Sequence, residues 1–302
     1  MKDDRIIDVF CVGMTPYDIS LSVDYHPLPD DKIYANDMVF CGGGPASNAA
    51  ATVARLGGRS AICGYLGNDI FGDIHIRELV KDKVITDYII RGNDPTKISI
   101  IMIKKDGTRS IITYDKKTPF ISPDKLNFDF SKVKIKAMLF DGHEPEISII
   151  LAKEAKKLNI PIVLDAGSIH KGTELLIKYT DYLVCSEKFI RQYNDKKSID
   201  ENMNELLNYS SYVAATFGGK GIKWKTRENS GSIKAYKIDV VDTTGAGDVF
   251  HGAFAYSVAR GSDFIKSLNY ANAAAALCCT KLGARLAIPD EREIEEFLKS
   301  VR

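Results

Sequence analysis

The chain has 302 residues, enough to bury a sizeable core, and 45% of them are apolar. Its 41 basic and 40 acidic residues leave a net charge of +1, without the basic excess of a nucleic-acid binder. No run of 18 apolar residues marks a membrane span, and the acidic start MKDDRIIDVF lacks the basic and apolar regions of a signal peptide, so a cytoplasmic protein is expected.

Ile6–Gly13, IIDVFCVG, is an almost continuous apolar run, suited to a strand buried on both faces of a parallel sheet. Asp18–Phe40 alternates apolar and polar residues instead, with Pro27, Pro29 and Asp30-Asp31 as turn material. A helix follows over Ala46–Leu56, then a strand over Arg59–Leu66 and a helix over Asp73–Lys81. Thr96–Tyr114 reads as a hairpin, KISIIMIKK and TRSIITY joined at Asp106-Gly107. Strands at Ala137–Asp141, Ile160–Asp165, Asp181–Cys185 and Tyr212–Thr216 alternate with helices at Glu146–Leu158 and Asn202–Leu207. Trp224 reads as a further strand residue. Helices at Asp248–Arg260, Phe264–Leu282 and Asp290–Val301 end the chain.

This alternation predicts a doubly wound, mostly parallel α/β sheet flanked by helices. One domain is expected over 1–302, interrupted by 18–40 and 96–114. Those two segments form either a small antiparallel sheet over a ligand or a second subunit, or edge strands of the main sheet; the pattern leaves both open. The six cysteines, Cys11, Cys41, Cys63, Cys185, Cys278 and Cys279, fit no zinc spacing and mostly lie in apolar runs, so reduced, buried thiols are expected.

No G-x-x-x-x-G-K-[ST] occurs; the one Gly-Lys pair is Gly219-Lys220, which excludes a P-loop. Gly42-Gly-Gly-Pro-Ala46 does not complete G-x-G-x-x-G, since Ser47 takes the last position, which disfavours a Rossmann dinucleotide site. The stretch VDTTGAGDVFHGAF, Val241–Phe254, is more informative. Gly245-Ala246-Gly247 lets the unpaired amides of a helix start approach an anion. Asp248 beside that nest suits a base that takes a proton from a hydroxyl attacking a phosphoryl group. It also suits a helix N-cap, and local chemistry does not separate the two. Asp242, Thr243 and Thr244 add oxygens around the loop. In CGGGPASNAA, Cys41–Ala50, Asn48 offers a donor and an acceptor to a sugar hydroxyl, or is a solvated residue after a tight turn.

Taken together the two loops resemble the PfkB-type, ribokinase-like sugar kinases. The N-terminal pattern runs Gly43-Gly44…Asn48-Ala49-Ala50, then Gly57 and Gly67; the C-terminal D-T-x-G-A-G-D-x-F is met over Asp242–Phe250. The resemblance covers nearly the whole chain. It implies Asp248 as catalytic base and Gly245, Ala246 and Gly247 as anion hole. It implies Asp18, Gly43, Gly44 and Asn48 as sugar ligands, with 18–40 and 96–114 as a β-lid. It implies Thr216, Gly218, Gly221 and Asn272 around ATP, Mg²⁺ on the phosphates, and Asp242 and Thr244 around a monovalent cation such as K⁺. A homodimer through the lid is expected by the same resemblance.

One departure concerns the Asn-x-x-Glu of many relatives, where this chain has Ser186-Glu187-Lys188-Phe189; Glu187 is the candidate for the magnesium water shell. Within the family, Val240–Ala253, Gly42–Ala46 and Arg285…Ile288-Pro289-Asp290 look similar to the sulfofructose kinase and ketohexokinase-like branch. That branch places an arginine near His143, whereas His143-Glu144 here makes a poor sulfonate receptor. His143, at a strand end, is a candidate substrate contact. Lys32 is the remaining candidate for an anionic substrate group, or a solvated lysine of the lid. His251 reads as packing. The expected activity is ATP-dependent phosphorylation of a small sugar or polyol. A nucleoside kinase of the same superfamily and a non-catalytic sugar-binding regulator are the alternatives.

Overall fold

The apolar runs become the interior strands of one sheet, and the alternating segments form a second. A computed structural model describes residues 5–115 and 120–301, so the Met1–Asp4 start lies outside the described residues. In chain order the strands are β1 (Arg5–Val12), β2 (Tyr17–Val23), β3 (Asp37–Gly42), β4 (Ser60–Cys63), β5 (Tyr65–Gly67), β6 (Ile90–Gly92), β7 (Ile98–Lys104) and β8 (Arg109–Tyr114). They continue as β9 (Val133–Phe140), β10 (Ile162–Ala166), β11 (Tyr182–Ser186), β12 (Tyr212–Thr216), β13 (Ile222–Thr226) and β14 (Ser230–Ile233). The helices are α1 (Pro45–Arg55), α2 (Ile70–Lys81), α3 (Pro145–Lys157), α4 (Lys171–Leu176), α5 (Glu187–Tyr193), α6 (Ile199–Leu206), α7 (Ala246–Ala259), α8 (Phe264–Cys278) and α9 (Glu291–Ser300).

The main sheet has the order β14-β13-β12-β11-β10-β9-β1-β4. It is parallel from β4 to β12 and closes with an antiparallel hairpin, β13–β14, which holds Trp224. Side chains alternate across it, as strands require. Val163, Val184 and Ala214 pack with α1, α7 and α8; Leu164, Cys185 and Ala215 pack with α3, α5 and α6. Five of the six cysteines are buried in this interior and Cys279 is half-buried; all are free. Burial pushes the thiols of Cys11, Cys63 and Cys185 upward, so they stay protonated.

The segments around 18–40 and 96–114 form their own four-stranded sheet, β3-β2-β7-β8, rather than edge strands of the main one. Its outer pairs are antiparallel, and β2 and β7 pair in parallel. The hairpin turns at Gly107, whose φ of 77° the Asp-Gly signal requires. The single strand expected over Arg59–Leu66 divides at Gly64: β5 leaves the main sheet to pair with β6. A Cβ at Gly64 would lie 2.6 Å from the Thr15 side chain, so the close crossing there needs glycine. The last long helix stops at Cys278 rather than running to Leu282, because the chain turns to Gly283 at φ 85°.

Candidate active site

The C-terminal ends of the parallel strands carry the polar residues, and two glycine loops meet there. In the second loop Gly245 is the N-cap of α7 in the left-handed region, with no side-chain cap. The first bond of the helical ladder is Val249 N–H to the Gly245 carbonyl, 2.9 Å, so the amides of Gly247 and Asp248 precede the ladder. A Cβ at Gly247 would have nothing within 4 Å, so the nest is open. Asp248 is therefore not the cap. It lies in the first turn, and its Oδ2 accepts the Asn48 side-chain N–H at 2.8 Å. Burial pushes its carboxyl up to about 6; the Asn48 bond and the charges of Arg109 and Arg285 oppose that rise.

In the first loop, Gly44 caps α1 at φ 92° and Pro45 takes the first helical position. A Cβ on Gly43 would fall 1.9 Å from the Asp18 carboxylate, so the loop needs glycine to admit that side chain. Asp18, on β2, is 6% exposed, and burial, with Asp248 nearby, pushes its carboxyl up to about 7. The lid strand thus delivers Asp18 to the same pocket as Asn48 and Asp248.

The other expected residues are placed as follows. Asp242 Oδ1 accepts Thr244 N–H (2.8 Å) and Oδ2 accepts Gly283 N–H (3.0 Å), while the buried Thr244 Oγ1 has no hydrogen-bond partner. Thr216 ends β12 and donates to the Cys185 carbonyl at 3.3 Å. Gly218 and Gly221 both have positive φ, and a Cβ on Gly221 would meet the Ile233 carbonyl at 2.1 Å. Asn272 on α8 is pinned by its amide to the Lys234 carbonyl at 2.9 Å. Glu187 opens α5 and its Oε1 takes Nε and Nη2 of Arg191 at 3.0 and 2.7 Å.

Lys32 stands apart from this group, exposed and 5.7 Å over the Tyr34 ring, as a solvated lysine would. His143 is half-buried and stacks on His170 at 4.6 Å. Glu144 does not partner His143 as the adjacent pair suggests. Its buried carboxylate accepts the Ile121 N–H at 2.9 Å.

Three contributors were not anticipated, and a fourth, His251, was read only as packing. Asp141, just past β9, accepts from the amides of Met14 (2.8 Å), Ala46 (3.2 Å) and His143 (2.8 Å), tying β1, α1 and β9 together. It is a carboxylate at a strand's C-terminal end, the same signal that singled out its neighbour His143. Arg109 crosses from β8 to donate to Thr243 Oγ1 at 2.8 Å, which lays the lid against the second loop. His251 is buried, and its ring nitrogens face Asp165 and the Gly247 and Val184 carbonyls at 3.2, 2.6 and 3.1 Å. Arg285 is buried behind Asn48.

Comparison with known proteins agrees with this geometry. Residues 7–291 match the model of the pfkB family carbohydrate kinases. The ribokinase of Bacillus subtilis (strain 168) is 26% identical over 293 residues, covering 96% of this chain and 99% of that protein. A probable fructokinase-5 of Arabidopsis thaliana is 28% identical over 85% of this chain and 88% of its own. Among solved structures, Thermotoga maritima ribokinase superposes with a TM-score of 0.81 at 28% identity, covering 96% of this chain and 99% of that one. Arabidopsis thaliana ribokinase, complexed with ribose and ATP, gives 0.82 at 27% identity over 96% and 98%. A fold of two sheets, two glycine loops converging on one carboxylate, and a family match along almost the whole described chain lead to one conclusion: this protein is a sugar kinase of the pfkB, ribokinase-like family.

Proposed function

We propose that this kinase moves the γ-phosphoryl group of ATP to a hydroxyl of a small neutral sugar, with Asp248 as base. The observation that carries the reading is the 2.8 Å bond from Asn48 to Asp248, which joins loops 200 residues apart. Asn48 occupies Asp248 Oδ2, and Oδ1 takes the proton as the sugar oxygen attacks in line. The amides of Gly245, Ala246 and Gly247 receive the charge of the transferred group. Arg109, already at Thr243, adds a cation from the lid side, and the closed lid keeps water out.

Thr216, Gly218 and Gly221 form the turn that faces the nucleotide, and Asn272 holds the segment after β14 against α8 beside it. Mg²⁺ bound with ATP would neutralise phosphate charge; Arg191 engages only Oε1 of Glu187, which leaves Oε2 for a water of that shell. The unpartnered Thr244 Oγ1 beside the Asp242 carboxylate fits a monovalent cation such as K⁺. Asp18, Gly43, Gly44 and Asn48 hold the sugar. Asp18, Asp141 and Asp248 bring carboxylates to the pocket, and Lys32 stays outside it, so a neutral substrate is favoured over an anionic one. The lid's outward face carries Phe40, Ile100 and Ile112, which are partly exposed and linked through Ile19 in the strand register; it suits a second copy of the chain.

The test is ATP turnover with Mg²⁺ and K⁺ over ketoses, aldoses, sugar acids, sulfofructose and nucleosides, with Asp248→Asn alongside. A neutral sugar is expected to be turned over, with kcat/KM rising through pH about 6 as Asp248 ionises. Asp248→Asn is expected to fold and lose roughly 10³-fold in kcat. Full activity in that variant removes Asp248 as base. Turnover of nucleosides alone moves the substrate class, and ATP binding without any turnover points to a regulator.

A further inference from the structure

Arg285 is 2% exposed, yet it makes no ion pair among the described residues. Its Nη2 donates to Ser47 Oγ (2.6 Å) and Asn48 Oδ1 (3.4 Å) and lies 3.2 Å from His75 Nε2. Its Nε and Nη1 find no partner. A buried cation with open donors is destabilising, so stability does not account for it.

Its chemistry does have a consequence. A guanidinium only donates, so every group that faces Nη2 must present an acceptor. His75, kept neutral by burial and by Arg285 itself, offers a ring lone pair. Ser47 receives from Arg285 and sends its own hydroxyl hydrogen to the Gly43 carbonyl at 2.6 Å. Asn48 turns its carbonyl oxygen to Arg285, which leaves its N–H group for Asp248 at 2.8 Å. With the amide reversed, an oxygen would face the carboxylate and repel it.

We propose that Arg285 is a positioning residue: it fixes the orientation of the Asn48 amide so that Asn48 donates to Asp248, holding one carboxylate oxygen and leaving the other for the substrate proton. This rests on the reading of Asp248 as base, but it makes a claim about the protein that needs no substrate. Asp248 is also faced by Asp18 from β2, Arg109 from β8, Asp141 after β9, Asp165 from β10 and Cys278 from α8. The test leaves all of these in place.

The experiment is a ¹³C carboxyl NMR titration of the full chain, with the Asp248 signal assigned by its loss in Asp248→Asn. It compares wild type, Arg285→Met, Asn48→Ala and the double variant. Methionine has similar volume and no donor, so folding is expected to survive; Arg285→Gln is the second variant. Losing a donor to the charged form raises a carboxyl midpoint. Each single variant is expected to move the Asp248 midpoint up by about half to one pH unit, and the double variant no further than the larger single. On the sugar identified by turnover, kcat is expected to fall about tenfold in Arg285→Met, with the KM for ATP within about twofold. An Arg285→Met shift that persists undiminished in the Asn48→Ala background means Arg285 acts by charge alone, and the proposal falls. An unmoved Asp248 midpoint in Arg285→Met also overturns it. Failure of Asp248 as base would show instead as an active Asp248→Asn.

Discussion

The two glycine loops begin alike and end differently. Each leads into a helix through a glycine at positive φ, Gly44 before α1 and Gly245 before α7. Around the first loop the space beside the glycines is filled by the protein's own side chains. The Asp18 carboxylate occupies the place of a Gly43 Cβ, the His75 ring that of a Gly42 Cβ, and Asp141 takes the Ala46 amide. Around the second, a Cβ on Gly245 would meet Ala284 at 2.5 Å, but Gly247 is exposed with nothing near it and no carboxylate from another element beside it. A glycine-rich helix start is therefore not in itself an anion site. What distinguishes the two is whether a carboxylate already sits on the helix start.

The largest effect expected from this contrast is at Gly43. In Gly43→Ala the new methyl group and the Asp18 carboxylate cannot share one place, and a loss of about 3 kcal/mol or more is expected in chemical denaturation. A wild-type midpoint would mean that Asp18 does not fill the slot. Next comes Asp18→Asn, which keeps the shape and removes the charge. The Asp18 carboxyl is held at about 7 in the fold, above the value of about 3.9 for an unfolded chain, so its ionised form is disfavoured by folding. Stability at this site is then highest below pH about 4, declines as pH rises towards about 7, and is flat beyond. Asp18→Asn is expected to flatten that limb, read as the difference between denaturation midpoints at pH 4 and pH 8. An unchanged pH profile would show that Asp18 is not strained by its burial. The smallest stability effect is at Gly247. Alanine fits the helix and meets no neighbour, so Gly247→Ala is expected to raise stability by about 0.5–1 kcal/mol. The methyl group also projects into the open nest, so kcat is expected to fall by roughly 10². A loss of stability there would mean that the second loop is as filled as the first.

The mostly parallel sheet, though not its strand order, the helices around it and the two glycine loops were readable because each has a local signature. Continuous apolar runs marked the interior strands, Asp106-Gly107 marked the lid turn, and Gly245-Ala246-Gly247 marked an amide nest. Asp248 was ambiguous locally, since first-turn carboxylates cap helices as well as act as bases. Only its place in the first turn, beyond the Gly245 cap, removes the capping role. Arg109 and Arg285 leave no local trace, because what matters is which side chain lies across from them, in each case more than 100 residues away along the chain (134 to Thr243 and 237 to Asn48). The short elements β6, α4 and α5 fell below the length at which periodicity is visible. Glu144, read beside His143 as a poor sulfonate receptor, turns its carboxylate to the Ile121 amide, which adjacency in the chain does not reveal.

The parallel pairing of β2 with β7, from Tyr17 opposite Ile98 to Val23 opposite Lys104, bears on how the lid comes into being. Each half of the lid, a strand pair on its own, is marginal in water. The ladder that unites them cannot form until the intervening α1, β4 and α2 have drawn their ends together, and such long-range closure comes slowly. The main sheet is joined in the same way where β1 meets β9, so neither sheet is complete until distant parts of the chain have met. A hairpin such as β7–β8 cannot by itself cover a sugar; only the united four strands present Asp18 and Arg109 together.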